Sequence, residues 1–223
     1  MQQHAEIMYH MDQKGMFFPV HEQPVMIEVM NEENMSFDVP QYKPVENRKA
    51  LVNNQGQVMG INSTGYVTVT NEQVADAFVT QLLKSDVNID DMDIECRYAN
   101  NGARTMVHFR FPKHEISVRG DTSIMEIVSQ NSYDGSWKYK LRAGALRFAC
   151  LNGMLIGDWA SAYSSQHNSH LSIEHAASKI TAMLEMFEST PGVWEAMLNR
   201  PVTDQQAWHV IKKYNKHDQR EMR

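Results

Sequence analysis

Alternate positions of two strand-like segments carry most of what this sequence offers for chemistry. In the first segment Arg104, Met106, His108 and Arg110 alternate with Val107, Phe109 and Phe111. In the second, Lys138, Lys140 and Arg142 alternate with Trp137, Tyr139 and Leu141. An extended chain sends successive side chains to opposite faces. Side by side in one sheet, the two segments would gather Arg104, His108, Arg110, Lys138, Lys140 and Arg142 into a single positive surface. Such a track suits the phosphates of a single strand, because each neutralised phosphate releases condensed counterion. Lys113 and Arg147 extend the series, and Tyr133 is the aromatic placed to stack on a base. An antiparallel sheet with one solvated face shows the same alternation, so the pattern alone leaves both readings open.

A second cluster is His167, His170, Glu174 and His175. His170 and Glu174 share a helix face at i, i+4, and His167 folding back from the loop would complete a site for zinc or another divalent ion. The chain contains no HExxH or EF-hand pattern, and solvated histidines near a Ser-rich helix start are the simpler account. Asp134, Asp121, Glu126 and Glu115 flank the basic segments and suggest a nuclease cluster, but turn and surface roles explain them more economically. Cys150 lies in the apolar run Phe148-Ala149-Cys150-Leu151 and reads as a buried thiol. Walker, GxGxxG and GxSxG patterns are lacking. The expectation is a binding protein, not an enzyme, with no catalytic residue, no metal and no cofactor.

The elements that must position these residues follow from composition and pattern. The chain has 223 residues, 42% hydrophobic and 22% charged, enough for one cored domain with a small appendage. No apolar run is long enough to span a bilayer, and no signal peptide is recognisable, so a cytoplasmic protein is expected. Two cysteines make no disulfide framework. Taken as a total, the net charge of −6 argues against nucleic acid. It is unevenly spread: residues 1–100 carry 15 acids and 6 bases, residues 101–150 carry 8 bases and 4 acids, and residues 151–223 carry 7 bases and 8 acids. The middle is a basic island in an acidic chain.

Residues 1–45 read as an irregular arm broken by prolines, with strand character only from Val25 to Met30. Residues 46–168 read as an α+β core. Two strands are expected over 48–70, around Asn54-Gln55-Gly56 and in the β-branched run Tyr66 to Thr70. A helix follows with capping-box spacing at Thr70 and Gln73 and apolar residues Val74, Ala75, Phe78, Val79, Leu82 and Leu83. Residues 94–119 form a hairpin turning at Asn100-Asn101-Gly102 and ended by Pro112. Residues 124–150 form another, turning at Asp134-Gly135 in type I′ geometry. Residues 169–223 are helices with a basic tail: a stripe of Ile173, Ala176, Ala177, Ile180, Leu184 and Phe187, then a new helix at Thr190-Pro191 burying Val193, Trp194, Met197 and Leu198. A last helix capped by Thr203 turns Ala207, Trp208 and Ile211 inward. The class is α+β, an antiparallel sheet of hairpins with an early helix and C-terminal helices.

Val39-Pro40-Gln41-Tyr42-Lys43, Leu51-Val52-Asn53 and the run Gly60 to Asn71 together resemble a strand pair in a family of phage, prophage and plasmid-borne proteins without an assigned function. Gln130 to Ser136 (QNSYDGS) with Leu146 to Gly153 (LRFACLNG) resembles that family's NS-x-DGS … R-x-x-C-x-N signature; the Met-rich leader departs from it. Proteins of this type are carried by mobile elements beside replication and recombination genes. Their core looks similar to phage single-strand annealing proteins, which form rings or filaments and hold single-stranded DNA in a basic groove. The resemblance therefore implies a homo-oligomeric single-stranded DNA-binding protein of a phage or mobile element in a bacterial host. It would promote annealing or recombination, with a phage or host replication or recombination protein as a further partner. The competing expectation is a protein-interaction module or inhibitor acting on a host protein through its acidic regions.

Overall fold

Two antiparallel sheets and a group of helices make up the computed structural model, which describes residues 2–29, 41–85, 87–147, 161–209 and 211–212. The elements in chain order are α1 (Gln2–Gln13), β1 (Val20–Val29), β2 (Gln41–Asn53), β3 (Val58–Ser63), α2 (Asn71–Leu82), β4 (Asp93–Ala99), β5 (Arg104–Val118), β6 (Asp121–Ser132), β7 (Tyr139–Arg147), β8 (Ser161–Ser165), α3 (Ile173–Ser178) and α4 (Ile180–Asn199). One sheet has the order β1-β2-β3 and the other β4-β5-β6-β7-β8, each strand beside its neighbour in sequence. Sequential antiparallel strands with helices set apart define an α+β fold.

The arm is more ordered than its sequence suggests. Residues 2–13 form a helix whose Ile7, Met8 and Met11 pack into the main core, and residues 20–29 form an edge strand. Packing rather than local periodicity stabilises α1. Pro24 is accommodated because β1 is an edge strand whose register slips between Pro24 and Met26.

Thr70 caps α2 as the spacing predicts: its hydroxyl accepts from the Gln73 N–H (3.1 Å) and the Gln73 side chain accepts from the Thr70 N–H (2.9 Å). The buried face of α2 lies on the five-stranded sheet, with Phe78 stacked on Phe109 at 4.0 Å between centroids. Val107, Phe109, Phe111, Ile127 and Leu141 meet Leu82, Ile180, Met183 and Phe187 in the same cluster. Each such side chain contributes about 1.5–3 kcal/mol on burial.

Four expectations are corrected. The run Tyr66–Thr70 joins no sheet; the Val67 N–H donates to the His167 carbonyl (3.0 Å), and the Asn131 side chain donates to the Val69 carbonyl (3.0 Å). Pro112 does not end β5. Residues 112–114 have no partners on β6, so the strand bulges and continues to Val118. Thr190-Pro191 does not start a helix, because α4 runs through Pro191, with the Thr190 hydroxyl donating to the Met186 carbonyl (2.9 Å). Val193, Met197, Leu198, Trp208 and Ile211, expected inward, are exposed, while Trp194 is half-buried against the core. None of the described helices is long and apolar enough to cross a membrane.

Candidate nucleic-acid interface

Register sets the candidate face. Arg110 lies opposite Asp93 on β4 and Glu126 on β6, His108 opposite Glu95 and Val128, Met106 opposite Arg97 and Gln130, and Arg104 opposite Ala99 and Ser132. Val128 and Gln130 in turn face Arg142 and Lys140 on β7. Five of the six side chains expected to gather, Arg104, His108, Arg110, Lys140 and Arg142, fall on one side of one sheet, with acids interleaved; Lys138 lies in the connection before β7.

Arg110 is held by three carboxylates: Nε to Glu126 Oε1 (3.0 Å), Nη1 to Asp93 Oδ2 (3.2 Å) and Nη2 to Glu95 Oε2 (2.6 Å). Glu95 also takes Arg97 Nε at 2.6 Å. His108 Nδ1 lies 2.9 Å from Glu126 Oε1. Arg104 Nε donates to Asp134 Oδ2 (2.7 Å), with its guanidinium carbon 5.7 Å from the Trp137 ring centre. Lys113, in the bulge, pairs with Asp91 at 2.9 Å. Arg104, Arg110 and Lys113 thus serve internal ion pairs.

The centre of this face is also buried rather than solvated. Glu126 is 1% exposed, and His108 and Val128 are buried beside it. Glu126 Oε2 and His108 Nε2 have no hydrogen-bond partner among the described residues.

Basic groups toward β7 differ. Lys138 is exposed in the β6–β7 connection, Lys140 is half-exposed, and neither has an anionic partner among the described residues. Arg142 Nη2 donates to Gln130 Oε1 (2.7 Å). Arg147 closes β7 opposite Ser123; its side chain lies outside the described residues, as does that of Asp121. Lys213, Lys216, Arg220 and Arg223 of the basic tail and the Cys150 segment lie outside them too.

Tyr133 does not offer a stacking surface. It is 1% exposed, packed edge-on to Phe18 at 5.9 Å, and its hydroxyl accepts from the Asn71 N–H (3.0 Å). Burial pushes the phenols of Tyr133 and Tyr66 well above the ordinary tyrosine range. The connection it begins spans six residues between Ser132 and Tyr139 and is not a two-residue type I′ turn. Gly135 has positive φ (70°), but Asp134 does not. The Asp134 carboxylate closes the turn by accepting from the Ser136 N–H (2.9 Å). Burial raises the Asp134 carboxyl, but hydrogen bonds from Ser136 and Arg104 outweigh it and hold the group below its ordinary value. The adjacent positive-φ pair that type I′ requires is Arg119 (52°) and Gly120 (82°), between β5 and β6.

The small sheet clamps this connection. Asn62 donates to the Tyr133 carbonyl (2.8 Å) and Tyr66 to the Ser132 carbonyl (2.5 Å), while Asn131 donates to Asn71 Oδ1 (3.0 Å). Asn131, Ser132, Tyr133, Asp134 and Gly135 thus have structural roles, holding the loop that presents Trp137 and Lys138.

The histidine cluster does not assemble. His167 is buried, stacked on Tyr66 at 4.7 Å, with burial lowering its pKa; His170 is exposed and Glu174 contacts Ser172. His175 packs edge-on to Tyr163. Among the described residues no three His, Cys, Asp or Glu side chains come together in a metal-binding arrangement. Cys96 is half-buried, and burial raises its thiol pKa.

The hydrogen bond from Arg97, with help from Arg110, holds the Glu95 carboxyl at about 2 against an ordinary 4.5. A folded-state pKa below the unfolded one stabilises at high pH, and that stability is lost as pH falls. Stability should therefore hold from neutral pH to about 4.5 and decline toward 2. Glu95→Gln should flatten part of that decline in urea midpoints measured against pH, modestly, because Glu95 is partly solvated.

The class defined here is an α+β protein of two antiparallel sheets with an internally neutralised basic face and a clamped β6–β7 loop. The family described as domain of unknown function DUF932 matches residues 58–223, most of the chain, and the protein belongs to that family. Comparison with curated proteins and with solved structures finds no match.

Proposed function

We propose that the protein binds single-stranded DNA through a short basic strip, Lys138, Lys140 and Arg142, and acts as a multimer in strand annealing or recombination for a phage or mobile element. The observation that carries this is the pair Lys138 and Lys140, exposed or half-exposed, without an anionic partner among the described residues, on a loop the small sheet holds in place. Lys140 and Arg142 alternate along β7, about 6–7 Å apart, a spacing that suits successive phosphates of an extended strand. Half-buried Trp137 beside them, stacked under Arg104, is the aromatic nearest the strip. Arg104, Arg110 and Lys113 are left out of the footprint because carboxylates already hold them.

The smaller footprint has a measurable signature. Three phosphate contacts predict a slope of about −2 for log affinity against log salt, where seven would give about −5. Fluorescence anisotropy with a labelled oligonucleotide across a salt series reads that slope. Lys138→Ala with Lys140→Ala and Arg142→Ala should abolish binding at moderate salt. The proposal is wrong if the chain has no affinity at low salt, or if the triple substitution leaves binding unchanged.

The second reading, a module acting on a host protein, draws on the exposed apolar positions of the C-terminal helices. Co-purification of one host protein without any oligonucleotide shift would favour it.

A further inference from the structure

The C-terminal helical segment carries apolar side chains that stay exposed among the described residues. Residues 204–209 and 211–212 are helical, and Trp208 and Ile211 are 61% and 48% exposed. Met197 and Leu198, at the end of α4, are exposed as well. A basic residue adjoins this surface: Lys212, four residues after Trp208, is exposed.

A surface of opposite character lies between α1 and the start of α2. A groove of about 570 Å³ is lined by Met8, Tyr9, Asp12, Phe17, Phe18 and Glu72, among others. Tyr9 is 65% exposed, and Asp12 and Glu72 are exposed carboxylates with no cationic partner among the described residues. Aromatic walls with carboxylates at the rim match an indole flanked by a lysine in both apolar area and charge. In the single chain Trp208 stands in solvent, so the segment does not fill its own groove.

We propose that this groove receives the side chains of Trp208, Ile211 and Lys212 from a second copy of the chain. The donor and acceptor patches are different surfaces, so the contact is heterologous and propagates head to tail into a ring or filament. Trp208 is the apolar anchor, and Asp12 and Glu72 meet Lys212. This deepens the multimeric part of the function proposed above. The strip at Lys138, Lys140 and Arg142 shares no residue with either patch, so DNA binding and association are measured, and fail, independently.

The test is sedimentation velocity of the full chain over a concentration series. Wild type should grow in mass with concentration. Trp208→Ala, or Asp12→Lys with Glu72→Lys, should weaken association by about tenfold or more. These positions are exposed, so urea midpoints should stay close to the wild-type value, with a small drop for Glu72→Lys in the first turn of α2; Ile211→Ser is the second donor variant if Trp208→Ala loses stability. Mixing the donor variant with the groove variant should restore association, but only as a 1:1 dimer, because each mixture supplies one intact groove and one intact segment. A chain that stays monomeric throughout, association unaffected by both kinds of variant, or a mixture that fails to pair while wild type associates would each overturn the proposal.

Discussion

Replacing Glu126 by alanine should lower the unfolding free energy by about 3–5 kcal/mol, the range for removing one partner of a buried ion pair. Glu126 is 1% exposed, and its Oε1 takes both Arg110 Nε (3.0 Å) and His108 Nδ1 (2.9 Å). Alanine leaves the Arg110 charge with only Asp93 and Glu95 toward the sheet edge, and strips the buried His108 Nδ1 of its partner. Glu126→Gln should cost less, because it keeps an acceptor and loses only the charge. Urea unfolding reads the order directly, and each kcal/mol lowers Tm by about 2–4 °C at this chain length. An alanine variant within about 1 kcal/mol of wild type would show that the network contributes little.

The second large effect is at Gly60 on β3. A Cβ there would sit 2.5 Å from both Asp134 Cα and the Tyr133 carbonyl oxygen. Both obstacles are backbone, so no side chain can swing aside, and Gly60→Ala must push the β6–β7 connection away from the small sheet. The Asn62 hydrogen bond to the Tyr133 carbonyl lengthens and the packing of Tyr133 loosens. A loss of about 1–3 kcal/mol is expected from overpacking of this kind. Because the same connection presents Lys138, oligonucleotide affinity should fall with stability in this variant. Gly65→Ala is the control: a Cβ there meets nothing within 4 Å, and its effect should stay within about 0.5 kcal/mol. Equal effects at the two glycines would remove the steric argument.

These two sites show which features local pattern reveals. Thr70 and Gln73 announce the start of α2 because a capping box satisfies N–H groups within four residues. The alternation of Val107, Phe109 and Phe111 announces a buried strand face because the period of two belongs to the strand itself. The acidic partners on β4 were also within reach: a hairpin closed at Asn100-Asn101-Gly102 sets Asp93 and Glu95 opposite Arg110 and His108. Reading each strand separately counts the bases and misses the acids beside them.

Glu126 is a different case. Continued unbroken from the Arg119-Gly120 turn, the β5–β6 register would put Ser129 opposite Arg110. The three extra residues of the bulge, an odd number, put Glu126 there instead. Nothing local to Glu126 or Arg110 reports that shift. Likewise the sequence around Tyr133 looks like an exposed turn, and the approach of Phe18, Leu51, Met59 and the start of α2, all distant in sequence, buries it.

By itself, then, the sequence determined the α+β class, the capped α2, both hairpins and the presence of a basic island, because each follows from period, turn chemistry or charge over a few adjacent residues. Tertiary structure alone decided which of those bases remain free of internal carboxylates, that Tyr133 is buried, and that Trp208 and Ile211 are exposed. Those outcomes depend on which distant residues are brought opposite one another, and strand register and packing set that, not neighbours in the chain.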